Sequence, residues 1–182
     1  MPSIRAVKEV FKALPDCVTI KYPYGPPAHV PEGLRGKPLI DHEKCIGCGA
    51  CTLVCSSGAA SMTENSEGRT ININLGKCIF CALCADSCPT GAITLTKEFE
   101  LTTNNLENCH VSNNVEMTKC EKCGSLIAPK SQLNWGLKTV LEKIDKETKA
   151  IVEEDAKKYL TLCLSCRRIT SIKMNTHTKK YV

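Results

Sequence analysis

Aromatic side chains are scarce in this 182-residue chain, at 4 % of the total. A large core built on Phe, Tyr and Trp is therefore excluded. No stretch approaches the roughly 18 continuous apolar residues of a membrane-spanning helix. Residues 1–20 lack an apolar core ending in small residues, so a secretory leader is not expected. Charge of one sign is not in great excess either. A net charge of +5 suits an anionic surface or acidic protein partners and is too weak to argue for nucleic acid alone. The lysines and arginines are scattered, Arg167-Arg168 is the only adjacent arginine pair, and no aromatic platform is interleaved with them. Nothing resembles a nucleophile–base pair, a phosphate loop or a dinucleotide fingerprint.

The chain is rich in cysteine, with 14 residues. Cys45, Cys48, Cys51 and Cys55 recur 33 positions later as Cys78, Cys81, Cys84 and Cys88. Each set reads C-x2-C-x2-C-x3-C, the bacterial ferredoxin run for a 4Fe–4S cluster. Ile46 and Ile79 follow the first cysteines, and Gly58-Ala59 matches Gly91-Ala92, which marks an internal duplication. Three thiolates two residues apart on a tight loop can each face one corner of a cluster, while the fourth turns toward the other cluster. On that rule Cys45, Cys48, Cys51 and Cys88 hold one cluster, and Cys78, Cys81, Cys84 and Cys55 the second. Gly47, Gly49, Ala50 and Ala82 are small enough for backbone N–H groups to approach the sulfurs. Structural zinc sites use paired knuckles rather than triples with a trailing fourth cysteine, and a disulfide framework belongs to secreted chains. One departure from the run stands out: Pro89 follows Cys88, but Ser56 follows Cys55.

The fold class expected is α+β. A bacterial two-cluster ferredoxin-like core occupies 39–101, preceded by an N-terminal helix and arm (1–38) and followed by a linker and a C-terminal extension (102–182). Ser3 caps a helix over residues 3–14 that Pro15 stops, with Ile4, Val7, Val10, Phe11 and Leu14 on one stripe. Residues 21–38 carry five prolines and three glycines and form an extended arm. Within the core, short helices are expected in Gly49–Val54 and Ala82–Asp86. Strands are expected around Ala60–Met62, Thr70–Asn74, Ala92–Thr96 and Phe99–Leu101. Thr102–Thr118, rich in Asn and Thr, reads as a linker.

Beyond it, Cys120 and Cys123 form one knuckle and Cys163 and Cys166 another, the pattern of a tetrahedral four-thiolate, zinc-ribbon-like site. Zinc is the expected metal, with a rubredoxin-like single iron as the alternative, because both accept tetrahedral sulfur. A helix with Leu133, Leu137, Val140, Leu141 and Ile144 on its apolar face separates the two pairs. Cys17 reads as a small buried hydrophobe and Cys109 as a free thiol. His29, His42 and His177 have no partner at ligand spacing.

With these residues placed, the chain resembles the two-cluster ferredoxin subunit of complex I and of membrane-bound group 4 NiFe hydrogenases. The resemblance covers roughly residues 1–100: the opening helix, the arm ending in Leu34-Arg35-Gly36-Lys37, and the KCIGCGACTLVC and KCIFCALCADSCPTGAI runs. With its C-terminal double knuckle it looks most like the formate hydrogenlyase subunit 6 type. The resemblance implies a non-catalytic electron-transfer subunit, peripheral on the cytoplasmic face of the membrane. It further implies a large NiFe-type subunit, another iron–sulfur subunit and a membrane-arm subunit as neighbours, and no nucleic acid. Two other readings compete: a freely diffusing two-cluster ferredoxin, and a zinc-ribbon nucleic-acid or scaffold module with structural clusters.

Overall fold

The computed structural model describes residues 4–14, 24–25, 29–66 and 68–174. Cys17, His177 and much of the proline-rich arm lie outside them. The chain divides into two compact units, Met1–Leu34 and Arg35–Val182. In the first, helix α1 spans Ile4–Ala13, as its apolar stripe predicts, and Leu34 N–H closes a turn on the Pro31 carbonyl at 3.1 Å.

The second unit opens on a pair of interlocked halves. The first half runs β1 (Pro38–Ile40), a cysteine loop, α2 (Ala50–Leu53) and β2 (Ala60–Glu64). The second repeats the order with β3 (Arg69–Asn74), a loop, α3 (Leu83–Asp86) and β4 (Ile93–Leu95). Pairing crosses between halves: β1 is antiparallel to β4 with Ile40 opposite Ile93, and β2 is antiparallel to β3 with Ala60 opposite Ile73. Neither half holds a sheet alone. The inward residues of β3 alternate as the two-residue period requires, so Ile71 and Ile73 are both buried. They join Ile40, Cys51, Ala60 and Ile93 in a core whose remaining walls include Cys45, Cys55, Cys78 and Cys84. Because so few apolar side chains are available, the cysteines are themselves part of the core.

Gly36 has a specific cause. A Cβ there would lie 2.8 Å from the backbone carbon of Glu98. The two backbones meet because Gly36 and Lys37 donate N–H bonds to Thr96 and Glu98, both at 2.8 Å. This irregular pairing ends at Glu98, so the strand expected at Phe99–Leu101 does not form. In its place Leu101 N–H folds back on the Phe99 carbonyl at 3.0 Å.

The stretch expected as a linker is structured. A 3-10 turn over Leu106–Cys109 is capped by Asn105, whose side-chain oxygen accepts from Glu107 N–H at 2.9 Å. Strand β5 (His110–Val115) then adds to the open edge of β3, with Val111 opposite Ile73 and Asn113 opposite Ile71. An antiparallel hairpin follows, β6 (Met117–Lys119) and β7 (Leu126–Pro129), and then three helices: α4 (Lys130–Lys143), α5 (Lys146–Tyr159) and α6 (Leu164–Met174). Two helices, rather than the one expected, separate the C-terminal cysteine pairs.

Ile71 is 1 % exposed, so Ile71→Ala is expected to cost about 2–5 kcal/mol. Denaturant unfolding of the anaerobic holoprotein measures this, and an unchanged midpoint would show that Ile71 is not a core residue.

Candidate iron–sulfur and metal centres

Each cysteine loop begins with residues in the left-handed region and ends on a one-turn helix. Gly47 and Gly49 have φ of +66° and +76°, and their counterparts Phe80 and Ala82 have +53° and +71°. Phe80 and Ala82 pay a strain of order 1–2 kcal/mol each for lacking glycine's freedom. Such turns aim successive backbone N–H groups to one side of the loop, which is the environment a cluster's sulfurs need.

Two small cavities lie under these loops. The first is lined by Cys45, Cys48, Cys51 and Cys88, with Ile40, Ile71 and Ile93 behind them. The second is lined by Cys55, Cys78, Cys81 and Cys84, with Ile73, Ala59 and Ala60. The eight cysteines thus divide into the two sets that the cross-ligation rule gives, each cavity taking its fourth cysteine from the other run. Ile71 lines one cavity and Ile73 the other, so the same face of β3 runs along both.

The fourth cysteines are held alike. Ala60 N–H donates to Cys55 Sγ at 3.4 Å, and Ala92 N–H to Cys88 Sγ at 3.2 Å. Ser57 Oγ and Thr90 Oγ1 lie 3.6 and 3.7 Å from the same sulfurs. Gly58 and Gly91 N–H close the exit turns on the Cys55 and Cys88 carbonyls, both at 3.2 Å. Ser56 in place of proline therefore leaves the exit turn of the first run equivalent to that of the second.

The thiols respond to these surroundings in opposite directions. Burial pushes Cys51 up to about 11, helped by the neighbouring Cys48, Cys45 and Cys84. Burial likewise raises Cys84, with Cys78 adding to it. For Cys55 and Cys88 burial also acts upward, but the combined backbone and hydroxyl hydrogen bonds outweigh it and lower both. That Cys51 of the first cavity feels Cys84 of the second shows the two sites to be adjacent. Iron binding replaces the protons that burial would otherwise retain on the inner thiols.

The C-terminal four cysteines also meet. Their sulfurs all lie within 4.8 Å of one another, although the pairs are 40 residues apart in sequence. Cys120 and Cys123 occupy the tip of the β6–β7 hairpin, closed by Gly124 N–H on the Cys120 carbonyl at 2.8 Å. Gly124 takes the left-handed φ of +73° that this turn demands. Cys163 and Cys166 arrive differently, on the first turn of α6 rather than on a second hairpin. Hydrogen bonds from the Cys166 N–H, the Ser125 hydroxyl and Cys123 bring Cys163 down to about 6, whereas its bond to Cys163 pushes Cys166 up to about 12. Four thiols so close cannot all ionise without a cation between them. The donor set therefore fits a soft tetrahedral metal.

His42, expected to lack a ligand-spaced partner, makes a 2.6 Å contact from Nδ1 to Asn113 Oδ1 on β5. Cys109 is half-buried at the start of β5. The residue that sequence reasoning missed is Arg69: its Nη1 reaches the Gly47 carbonyl at 2.7 Å. The basic residue opening an alternating strand was the available signal.

Residues 44–92 match the family model of the 4Fe–4S dicluster domain. That match supports 4Fe–4S clusters as the cofactors of this region. No curated protein sequence matches the chain. Among solved structures, a chain of the membrane-bound sulfane sulfur reductase, an archaeal respiratory membrane complex, is similar at 35 % identity, covering 58 % of each chain with a TM-score of 0.44. The present chain thus spans somewhat more than half the length of that relative.

The division of the cysteines gives a crossed result. Cys88→Ala is expected to abolish the paramagnetic signal that depends on Cys48, and Cys55→Ala the signal that depends on Cys81. Loss of each signal with its own run instead would reverse the ligand assignment. Separately, Cys163→Ser is expected to remove the additional metal found by elemental analysis while leaving about eight irons per chain in anaerobic preparations.

Proposed function

We propose that this chain is the electron-transfer subunit of a membrane-bound NiFe hydrogenase of the formate hydrogenlyase type, or of a complex I-like oxidoreductase. The observation that carries the proposal is the pair of adjoining cavities, each lined by three cysteines of one run and the fourth of the other. When bound, 4Fe–4S clusters supply one-electron redox chemistry. The chain's own part is to fix their positions and tune their surroundings. The crossed cysteines keep the two sites next to each other, and Ile40, Ile71, Ile73 and Ile93 exclude water from their inner faces. Backbone N–H groups of the left-handed loops and of Ala60 and Ala92 stabilise negative charge on sulfur. No side-chain arrangement for acid–base or nucleophilic catalysis accompanies these sites among the described residues, consistent with a relay that serves an active site elsewhere.

The apolar stripe of α1 and the arm ending in Leu34-Arg35-Gly36-Lys37 support membership of a larger assembly, since a ferredoxin that diffuses freely needs neither. No helix among the described residues is long and apolar enough to cross a membrane, so the attachment proposed is peripheral, on the cytoplasmic face. The proposed neighbours are a NiFe-type large subunit, a further iron–sulfur subunit and a membrane-arm subunit. Zinc is proposed at Cys120, Cys123, Cys163 and Cys166, in a structural role.

Affinity purification of the full chain from detergent-solubilised membranes tests this reading. Co-purification with a large nickel-containing subunit is expected, with both clusters reducible by that complex's electron donor. Recovery as a soluble monomer would overturn the assignment in favour of a free carrier.

A further inference from the structure

Of the loop positions at which the two halves of the core differ, one meets the hairpin that follows β5. Gly47 corresponds to Phe80, and both adopt left-handed backbone. Phe80 demonstrates that a side chain is tolerated there when the space in front is open. Glycine at 47 has another cause. A Cβ on Gly47 would come within 3.0 Å of Pro129 Cγ and 3.3 Å of Val115 Cβ. These two residues flank the base of one hairpin: Val115 ends β5 just before β6, and Pro129 ends β7. Cys120 and Cys123 stand at the opposite end of that hairpin.

Arg69 completes the grip from below. Its guanidinium, with the side chain only 12 % exposed, donates to the Gly47 carbonyl at 2.7 Å and to Gln132 Oε1 at 3.2 Å. Glu64 accepts from Arg69 Nε at 2.8 Å on the other side. Gln132 lies in the first turn of α4, immediately after Pro129. The second cysteine loop has a weaker equivalent, since Arg35, which donates to the Cys81 carbonyl at 3.2 Å, is exposed.

We infer that the C-terminal extension is a positioning device for the first cluster alone. Val115 and Pro129 pack on the Gly47 loop, Arg69 and Gln132 bind its carbonyl, and metal bound at the four-cysteine tip stiffens the hairpin that carries them. This inference depends on the two-cluster reading. Two consequences distinguish it from a merely structural tail. The half-buried guanidinium, whose Glu64 partner is the more exposed and solvent-screened of the pair, favours the more negative, reduced form of the cluster held by Cys45, Cys48, Cys51 and Cys88, and so raises its potential. Opening the tip loosens the loop and exposes that cluster's iron, leaving the other unaffected.

The test uses the full anaerobic holoprotein, with redox titration followed by paramagnetic resonance and Cys48→Ala to identify the first cluster's signal. Wild type must show two signals and about eight irons per chain; their absence would sink the two-cluster reading itself rather than this inference. Given both signals, Arg69→Gln is expected to move the first cluster's midpoint to lower potential and leave the second in place, and Arg69→Lys to restore part of the shift. Gln132→Ala, on the partly exposed face of α4, is expected to give a smaller shift of the same sign without threatening folding. Cys163→Ser should speed chelator-driven loss of the first signal about tenfold, the low end of the range for lost supporting contacts around metal ligands. Equal effects on both signals, or no effect on either, would overturn the proposal.

Discussion

The constraint on which the structure depends is exchange between two halves that cannot stand separately. Each half contributes the strand before its cysteine loop and the strand after it, and neither pairs with a strand of its own half. The same exchange applies to the ligands, because Cys55 and Cys88 each leave their own loop to line the opposite cavity. Sheet pairing and metal binding therefore share one geometry. Structural metal binding can contribute about 10–16 kcal/mol, against a net stability of about 5–15 kcal/mol for a whole domain. With a core of six buried residues, four of them isoleucine, the clusters and the fold stand together.

Duplication supplies symmetry, and the extension breaks it. Strand β5 pairs with β3, the central strand of the exchange, and brings Asn113 opposite Ile71 and onto His42. From there the chain enters the hairpin whose base lies on Gly47. The base of the hairpin covers the first cavity, whereas β5 also runs beside Ile73 of the second. The second keeps Phe80 at the matching position and has Ile79 and Leu83 exposed beside it. Two sites with equivalent ligands thus have different surroundings. Cluster potentials follow hydrogen bonding, charge and solvent exposure, so clusters held in these two sites would differ in potential.

Most of the core was legible in sequence because its signals are local. Cysteine spacing, the paired Gly-Ala exits and the two-residue alternation of Thr70–Asn74 each fix a piece of structure without distant information. What escaped was set by partners elsewhere. Strand β5 reads as a polar linker because Asn113, its central inward residue, is polar and meets His42 through its Oδ1. Without that histidine in view the alternation of Val111, Asn113 and Val115 looks broken. Strand β1 is only three residues long and exists because β4 supplies its ladder. The supposed strand at Phe99–Leu101 has apolar residues at the right period but no edge left to pair with. Arg69 is an ordinary basic residue in sequence, and only the approach of Gly47 and Gln132 gives it a role.

The four-cysteine tip was legible as ligands but not as mechanics. In sequence the pairs look equivalent; in the fold one is a hairpin turn and the other opens a helix. The helix end lowers Cys163 by offering it backbone N–H bonds, which readies one thiolate before any metal arrives. The hairpin contributes rigidity instead, as its two strands continue directly into β5 and α4. A metal joining the two would tie the start of α6 to the hairpin that continues from β5, the partner of β3. Ligands close together in sequence would have made a self-contained knuckle. By drawing on residues 40 apart, the site makes the intervening helices part of the cluster domain's support.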